Sequence, residues 1–219
     1  MFRLRWLNTL LLVGFTTFFS VSLFESAIAA DSNSVRSGDG DLFPAKNGNW
    51  WAYKTTDAKG KIGEVRYRLI DLKRDRNGDC SFKLFSNDPQ NPKTKFYRKI
   101  GDKTFLTRVD VGGKSPSSVT FTPAKLVVDN KIEVGSIWMW SSKSAAPGSP
   151  SERWQVFPVE KVKVPAGEFT CLRIGGLMVN GTKVLYQSRM FSPNIGLVKS
   201  ADSNGREKCF EELVSFHVK

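Results

Sequence analysis

The sequence predicts a mainly β protein, folded as a single curved antiparallel sheet or a half-open barrel. Short runs of β-branched and aromatic residues alternate with polar residues, and Gly, Asn, Asp and Pro separate these runs. No segment of the expected mature chain keeps a helical period for three turns. Alternation at a period of two suits a sheet that buries one face, and frequent turn residues suit short antiparallel connections.

The first element is an N-terminal export signal. Arg3 and Arg5 precede an apolar stretch over residues 6–24, and Ala27-Ile28-Ala29-Ala30 follows it. Signal peptidase recognises this order of charged, apolar and small residues. We therefore expect residues 1–29 to be removed and the protein to be secreted or periplasmic. An uncleaved N-terminal membrane anchor is the alternative, because about 20 apolar residues can cross a bilayer.

Residues 30–41 carry almost no apolar side chains and are expected to form a flexible leader. The β domain is expected to occupy residues 42–219. A domain of this size can bury a sizeable core without help from a metal or a disulfide.

Apolar and polar residues alternate clearly along the predicted strands in the first half of that domain. Between Glu64 and Leu72, period two predicts that Val65, Tyr67, Leu69 and Asp71 share one face. A second long strand is expected over residues 154–164, interrupted at Pro158.

Turn residues mark the connections. Asn77-Gly78 predicts a tight hairpin because these residues tolerate positive φ angles, and Pro165-Ala166-Gly167 predicts another turn. By composition, residues 112–118 and 144–151 are loops.

An internal repeat is the most informative feature of the organisation. The pattern Gly-x-x-Trp-x-aromatic occurs at residues 48–53 and again 87 residues later, at 135–140. Bulky residues match at the same offset downstream, in the pairs Tyr67 and Trp154, Leu69 and Val156, and Phe82 and Phe169. We interpret this as a duplication of one β unit, with repeats over 42–128 and 129–215.

The repeated aromatic residues are the candidate ligand-binding site. Period two places Trp51 with Tyr53, and Trp138 with Trp140, on one face of their strands, while Trp50 points to the other. Large aromatic faces serve either as core fillers or as the lining of a pocket. Both alternatives stay open at the level of sequence.

The charge of the chain favours anionic neighbours. The net charge is +12, and removal of a signal that contains two Arg and one Glu leaves +11. The basic residues are scattered rather than clustered, as expected of strands with one solvated face. Export makes nucleic acid an improbable partner, so an anionic envelope surface is the expected partner for this charge.

Residues for common catalytic and metal sites are scarce. His217, near the C-terminus, is the only histidine, and the chain has no Gly-x-Ser-x-Gly motif. Asp71, Asp75 and Asp79 surround a turn, but their spacing differs from that of a calcium loop. We therefore predict no enzymatic activity, no metal and no cofactor.

Three cysteines remain after the predicted signal: Cys80, Cys171 and Cys209. In an oxidising compartment one pair can form a disulfide, and Cys171 with Cys209 is the pairing considered. The other two pairings, and three free thiols, are the alternatives.

Three motifs resemble a loose group of uncharacterised exported bacterial envelope proteins. They are Leu42-Phe43-Pro44, the segment 164–174 with its Pro-Ala-Gly-Glu-Phe turn, and the segment 191–199 with Asn-Ile-Gly-Leu-Val-Lys. That group is similar to the LolA-like families, which have a half-open β-barrel. The resemblance implies a concave β surface that accepts an apolar or amphipathic ligand, and it implies no catalytic residues.

Together these observations favour a non-enzymatic exported envelope protein that binds a lipid-like or amphipathic ligand. A structural module that binds anionic polymer or a membrane surface is the alternative. A hydrolase that uses carboxylates is the third hypothesis. The sequence leaves the oligomeric state open.

Overall fold

The computed structural model describes residues 40–88, 91–143 and 149–219. The predicted signal and residues 30–39 of the predicted leader lie outside the described residues. Twelve strands make up the fold: β1 (Trp50–Thr56), β2 (Ile62–Arg74), β3 (Cys80–Ser86), β4 (Lys93–Ile100), β5 (Lys103–Val111), β6 (Ser117–Asp129), β7 (Ile137–Ser141), β8 (Ser151–Val164), β9 (Gly167–Asn180), β10 (Lys183–Ser192), β11 (Gly196–Ser203) and β12 (Lys208–His217).

The strands form one antiparallel sheet in the order β6-β5-β4-β3-β2-β1-β12-β11-β10-β9-β8-β7. Strands β1 to β6 form one meander and β7 to β12 another, and the pairing of β1 with β12 joins the two, whereas β6 and β7 are unpaired with each other. The sheet curls into a nearly closed barrel whose edge strands, β6 and β7, leave an unsealed seam. The prediction of a mainly β, half-open architecture is confirmed, and the described residues contain no helix.

The two meanders have one irregularity of register in common. A bulge interrupts the pairing of β2 with β3 between Ile70 and Lys73, and another interrupts β8 with β9 between Phe157 and Glu160. The two bulges lie 87 residues apart, the offset of the sequence repeat. In a two-fold repeat of six strands, the unpaired seam between β6 and β7 is the counterpart of the hydrogen-bonded junction between β12 and β1.

The bulge in β2 changes the expected face of one residue. Val65, Tyr67 and Leu69 are buried on the interior face, as predicted. Asp71 adopts φ 54° at the bulge and forms an exposed ion pair with Lys83 at 2.7 Å. The expectation that Asp71 shares the face of the other three was wrong because a bulge inserts an extra residue and breaks the alternation.

The segment before β1 lies inside one end of the barrel. Leu42 and Ala45 are buried, and the Phe43 ring packs on Phe82 and Tyr97 with centroids 5.6 and 5.0 Å apart. Asp41, placed by the sequence at the end of the leader, forms an ion pair with Lys99 at 2.5 Å. These contacts attach residues 41–45 to the strands and fill that end of the interior.

The Cys171–Cys209 disulfide considered from the sequence is not present, and all three cysteines are free thiols, which was one of the alternatives. Cys171 lies on β9 and Cys209 on β12, so two strands separate them. Strand spacing of about 4.8 Å places such strands about 14 Å apart along the sheet. A disulfide requires Cα atoms closer than about 7 Å.

Candidate functional site in the barrel interior

The barrel encloses a cavity of about 300 Å³. Its lining comes from Phe43 and Pro44, which precede β1, and from every strand except β7. The wall is mostly aromatic and aliphatic, and it includes Phe43, Trp51, Tyr53, Tyr67, Tyr97, Leu106, Trp154 and Phe191. The volume falls at the lower end of the range for small-molecule pockets, about 300 to 1,000 Å³.

Two of the predicted residues line this cavity. Trp51 and Tyr53 project inward from β1, and both are buried. The Trp51 indole Nε1 donates to the Ile195 carbonyl at 2.7 Å, and the Tyr53 hydroxyl donates to the Leu197 carbonyl at 2.7 Å. Because their polar atoms are bonded to the wall, these side chains present apolar ring surface to the cavity.

The other two predicted residues lie at the seam instead. Trp138 and Trp140 belong to β7 and are absent from the lining of the interior cavity. They line a separate hollow of about 430 Å³ together with residues of β6, including Pro123 and Leu126. The four predicted aromatic residues therefore divide between two places.

The two tryptophans of β7 bridge the seam. The Trp138 Nε1 donates to the Leu126 carbonyl at 3.3 Å, and the Trp140 Nε1 donates to the Pro123 carbonyl at 2.7 Å. One backbone bond, from the Lys143 amide to the Thr122 carbonyl at 2.9 Å, also crosses. These bonds satisfy carbonyl groups of the β6 edge that no paired strand reaches.

A buried ion pair joins the seam to the cavity. Lys125 of β6 binds Glu152 of β8, and both line the interior. The Trp154 Nε1 donates to the second Glu152 oxygen at 3.0 Å. The Lys125 ammonium also lies 4.2 Å from the ring centroids of Phe121 and Trp140, in cation–π contact.

A second polar group lies on the wall formed by β10, β11 and β12. The Arg189 guanidinium binds Asp202 at 2.6 Å. The Glu211 carboxylate accepts bonds from the Tyr67 hydroxyl at 2.9 Å and from the Ser200 hydroxyl at 3.2 Å. Desolvation, together with the charge of Glu211, raises the pKa of Tyr67 far above its usual value. The phenol therefore remains a hydrogen-bond donor at neutral pH.

Lys95 differs from Lys125 and Arg189, the other two cationic groups of the cavity, which are both ion-paired. It lies on β4, and its ammonium stands 5.2 Å from the centroid of the Tyr67 ring. Among the described residues it has no ion pair within 4.0 Å. Desolvation lowers its pKa, although the charge of Glu211 acts in the opposite direction.

Sequence reasoning missed these interior charges, since it assigned scattered basic residues to the solvated face. The available signal was that residues two apart on a strand share a face. Lys95 is two residues from Tyr97, and Glu211 is two residues from Leu213. Both neighbours are buried.

Within the described ranges, no group of three or more His, Cys, Asp or Glu side chains is arranged to hold a metal ion. His217 is exposed at the end of β12, where it pairs with Trp50. The described part of the chain also has no helix long and apolar enough to cross a membrane.

No protein-family model matches this chain, and no curated protein matches it. Two solved structures share its fold. One is a predicted lipoprotein from Parabacteroides distasonis, with a TM-score of 0.51 and 16% identity over 81% of this chain and 99% of that one. The other is a predicted exported protein with a YmcC-like fold from Bacteroides fragilis, with a TM-score of 0.51 and 14% identity over the same shares. At this identity the likeness shows the fold alone.

Proposed function

We propose that this protein is a non-enzymatic, exported envelope protein that binds an amphipathic ligand inside its barrel. The observation that carries the proposal is the cavity of about 300 Å³ in the centre of the fold. Side chains fill the interior of many small barrels, whereas larger or more open barrels hold a ligand there. An aromatic wall with a few polar groups is the usual composition of a ligand pocket.

The fold of the two solved neighbours supports the export part of the proposal, because one is described as a lipoprotein and the other as an exported protein. The predicted N-terminal signal supports it independently. The expected similarity to LolA-like barrels agrees with an open-seamed sheet around an apolar interior, and it stays a prediction.

The bonding partners of the two cavity carboxylates favour a binding role over catalysis. Glu152 is held by Lys125 and Trp154, and Glu211 by two hydroxyl groups. A general acid or base needs access to its substrate. Both carboxylates instead have partners in the wall.

The proposal is tested with N-phenyl-1-naphthylamine, a neutral probe that fluoresces in apolar surroundings. The purified protein is expected to bind this probe in a saturable manner. Leu84→Trp places a larger side chain at the cavity wall, and it is expected to weaken probe binding. Phe85→Trp is the matched control, because Phe85 is the next residue of β3 and is exposed on the outer face.

Native mass spectrometry of the unmodified protein gives a second readout that needs no variant. An adduct with the mass of a small amphiphile, released by mild activation, supports the proposal. Equal probe binding by wild type and Leu84→Trp, with circular dichroism showing that both are folded, would contradict it.

A further inference from the structure

Lys95 places a positive charge at the cavity wall, where none of the described residues provides a contacting counter-ion. Its neighbours across the ladder are Leu84 of β3 and Val109 of β5, so β4 is paired on both sides and the position is fixed. The side chain enters the cavity beside the Tyr67 ring. The nearby anions, Glu211 and Asp202, accept bonds from other groups.

An ammonium group in this position is costly to the folded protein. Transfer of a charge from water to an apolar interior is unfavourable unless hydrogen bonds and an opposite charge replace the lost hydration. The lowered pKa of Lys95 is one expression of that cost. A ligand that brings an anionic oxygen to this ammonium would remove the penalty on binding.

We propose that Lys95 binds the anionic head group of an amphiphile, a carboxylate or a phosphate monoester, whose apolar chain lies against the aromatic wall. The inference rests on the proposed function and specifies its ligand class. The Arg189 guanidinium also lines the cavity, but Asp202 already compensates its charge at 2.6 Å. Trp51, Tyr97 and Leu106 provide the apolar surface for the chain.

The experiment compares three ligands with the same ten-carbon chain: decanoate, decyl phosphate and decanol. Isothermal titration at pH 7.5 measures the affinity of the purified protein for each. Lys95→Met removes the charge and keeps most of the aliphatic stem. Lys163→Met is the matched control, since it makes the same change in net charge at an exposed position of β8.

We expect the wild-type protein to prefer at least one anionic ligand over decanol by about tenfold or more, the effect of a charge-assisted hydrogen bond. Lys95→Met is expected to lose that preference without weaker decanol binding, and Lys163→Met to retain it. The stronger of the two anionic ligands distinguishes a carboxylate from a phosphate head group.

Two outcomes overturn the inference in different ways. In the first, the wild type binds all three ligands with equal affinity, and Lys95→Met has the same affinities. This outcome would refute the role of Lys95 and leave the proposed function in place. Failure of all three ligands and of the neutral probe to bind the wild type would refute both. Thermal unfolding checks the variant, and we expect Lys95→Met to be at least as stable as the wild type without ligand.

Discussion

The Lys125 ammonium binds the Glu152 carboxylate across the seam of the barrel, between strands that share no backbone ladder. Both side chains are largely buried, with exposures of 14% and 6%. The pair therefore connects the edge strand β6 with β8, the neighbour of the other edge strand, at the point where the interior cavity meets the seam.

Glu152→Gln is expected to destabilise the protein by about 3 kcal/mol, because it leaves the Lys125 charge buried without its counter-ion. Urea unfolding measures the change. The double variant Lys125→Met/Glu152→Gln is expected to recover most of the loss. Glu168→Gln is the control, since the Lys161–Glu168 pair is exposed and such pairs contribute about 1 kcal/mol or less. An equal loss in both single variants would contradict this account of the seam.

Trp140→Phe should loosen the seam. The variant keeps an aromatic ring but loses the bond of 2.7 Å to the Pro123 carbonyl, worth about 1 kcal/mol. Hydrogen exchange at the Lys143 amide, which bonds across the seam, is expected to accelerate. Trp50→Phe provides the control, because β1 is paired on both sides. Unchanged exchange at Lys143 in Trp140→Phe would show that the indole bond does not hold the seam.

The three thiols should react unequally. Cys209 is exposed, whereas Cys80 and Cys171 are buried, and desolvation raises the pKa of Cys171 to about 12. A thiol reagent at pH 8 is therefore expected to modify Cys209 in the folded protein and all three residues in urea. Mass spectrometry of the labelled peptides identifies the sites. Rapid labelling of Cys171 under native conditions would be incompatible with its burial on β9.

The interior tyrosines should make the protein sensitive to alkali. Burial raises the pKa values of Tyr53, Tyr67 and Tyr97 above the ordinary value of 10.0. In the unfolded chain these phenols ionise near pH 10, so their contribution to stability is complete below pH 10 and is lost as the pH rises above it.

We expect tyrosinate absorbance from these three residues to appear together with the loss of the circular dichroism signal. Tyr67→Phe should reduce the dependence of stability on pH above pH 10. Tyr186→Phe changes the number of tyrosines without altering the interior, because Tyr186 is exposed, and it serves as the control. Ionisation of Tyr67 in the fully folded protein would show that the interior is accessible to hydroxide.

The strand pattern was predictable because each strand of the first half has one buried and one solvated face. Val65, Tyr67 and Leu69 alternate as expected, whereas of the two predicted turn residues Gly78 adopts a positive φ, 86°, and Asn77 does not. The alternation fails at Asp71, because a bulge depends on how β2 pairs with β3 and has no clear signal in the residues of β2 alone.

The candidate site was only partly predictable. Trp51 and Tyr53 line the cavity, whereas their counterparts at the predicted repeat offset, Trp138 and Trp140, hold the seam. Equivalent positions in a repeat have different surroundings when one junction between the units is paired and the other is not. That difference arises between strands distant in sequence, so no local pattern reveals it.

By itself, the sequence determined that this chain forms antiparallel strands with aromatic residues on one face, since alternation and turn residues act over a few positions. The tertiary structure decided which end the segment 41–45 fills, where the sheet remains unsealed, and which charges enter the interior. The half-buried position of Lys95 at the cavity wall follows from closure of the barrel around β4, because the ring of strands, and not the strand itself, shields that face from water.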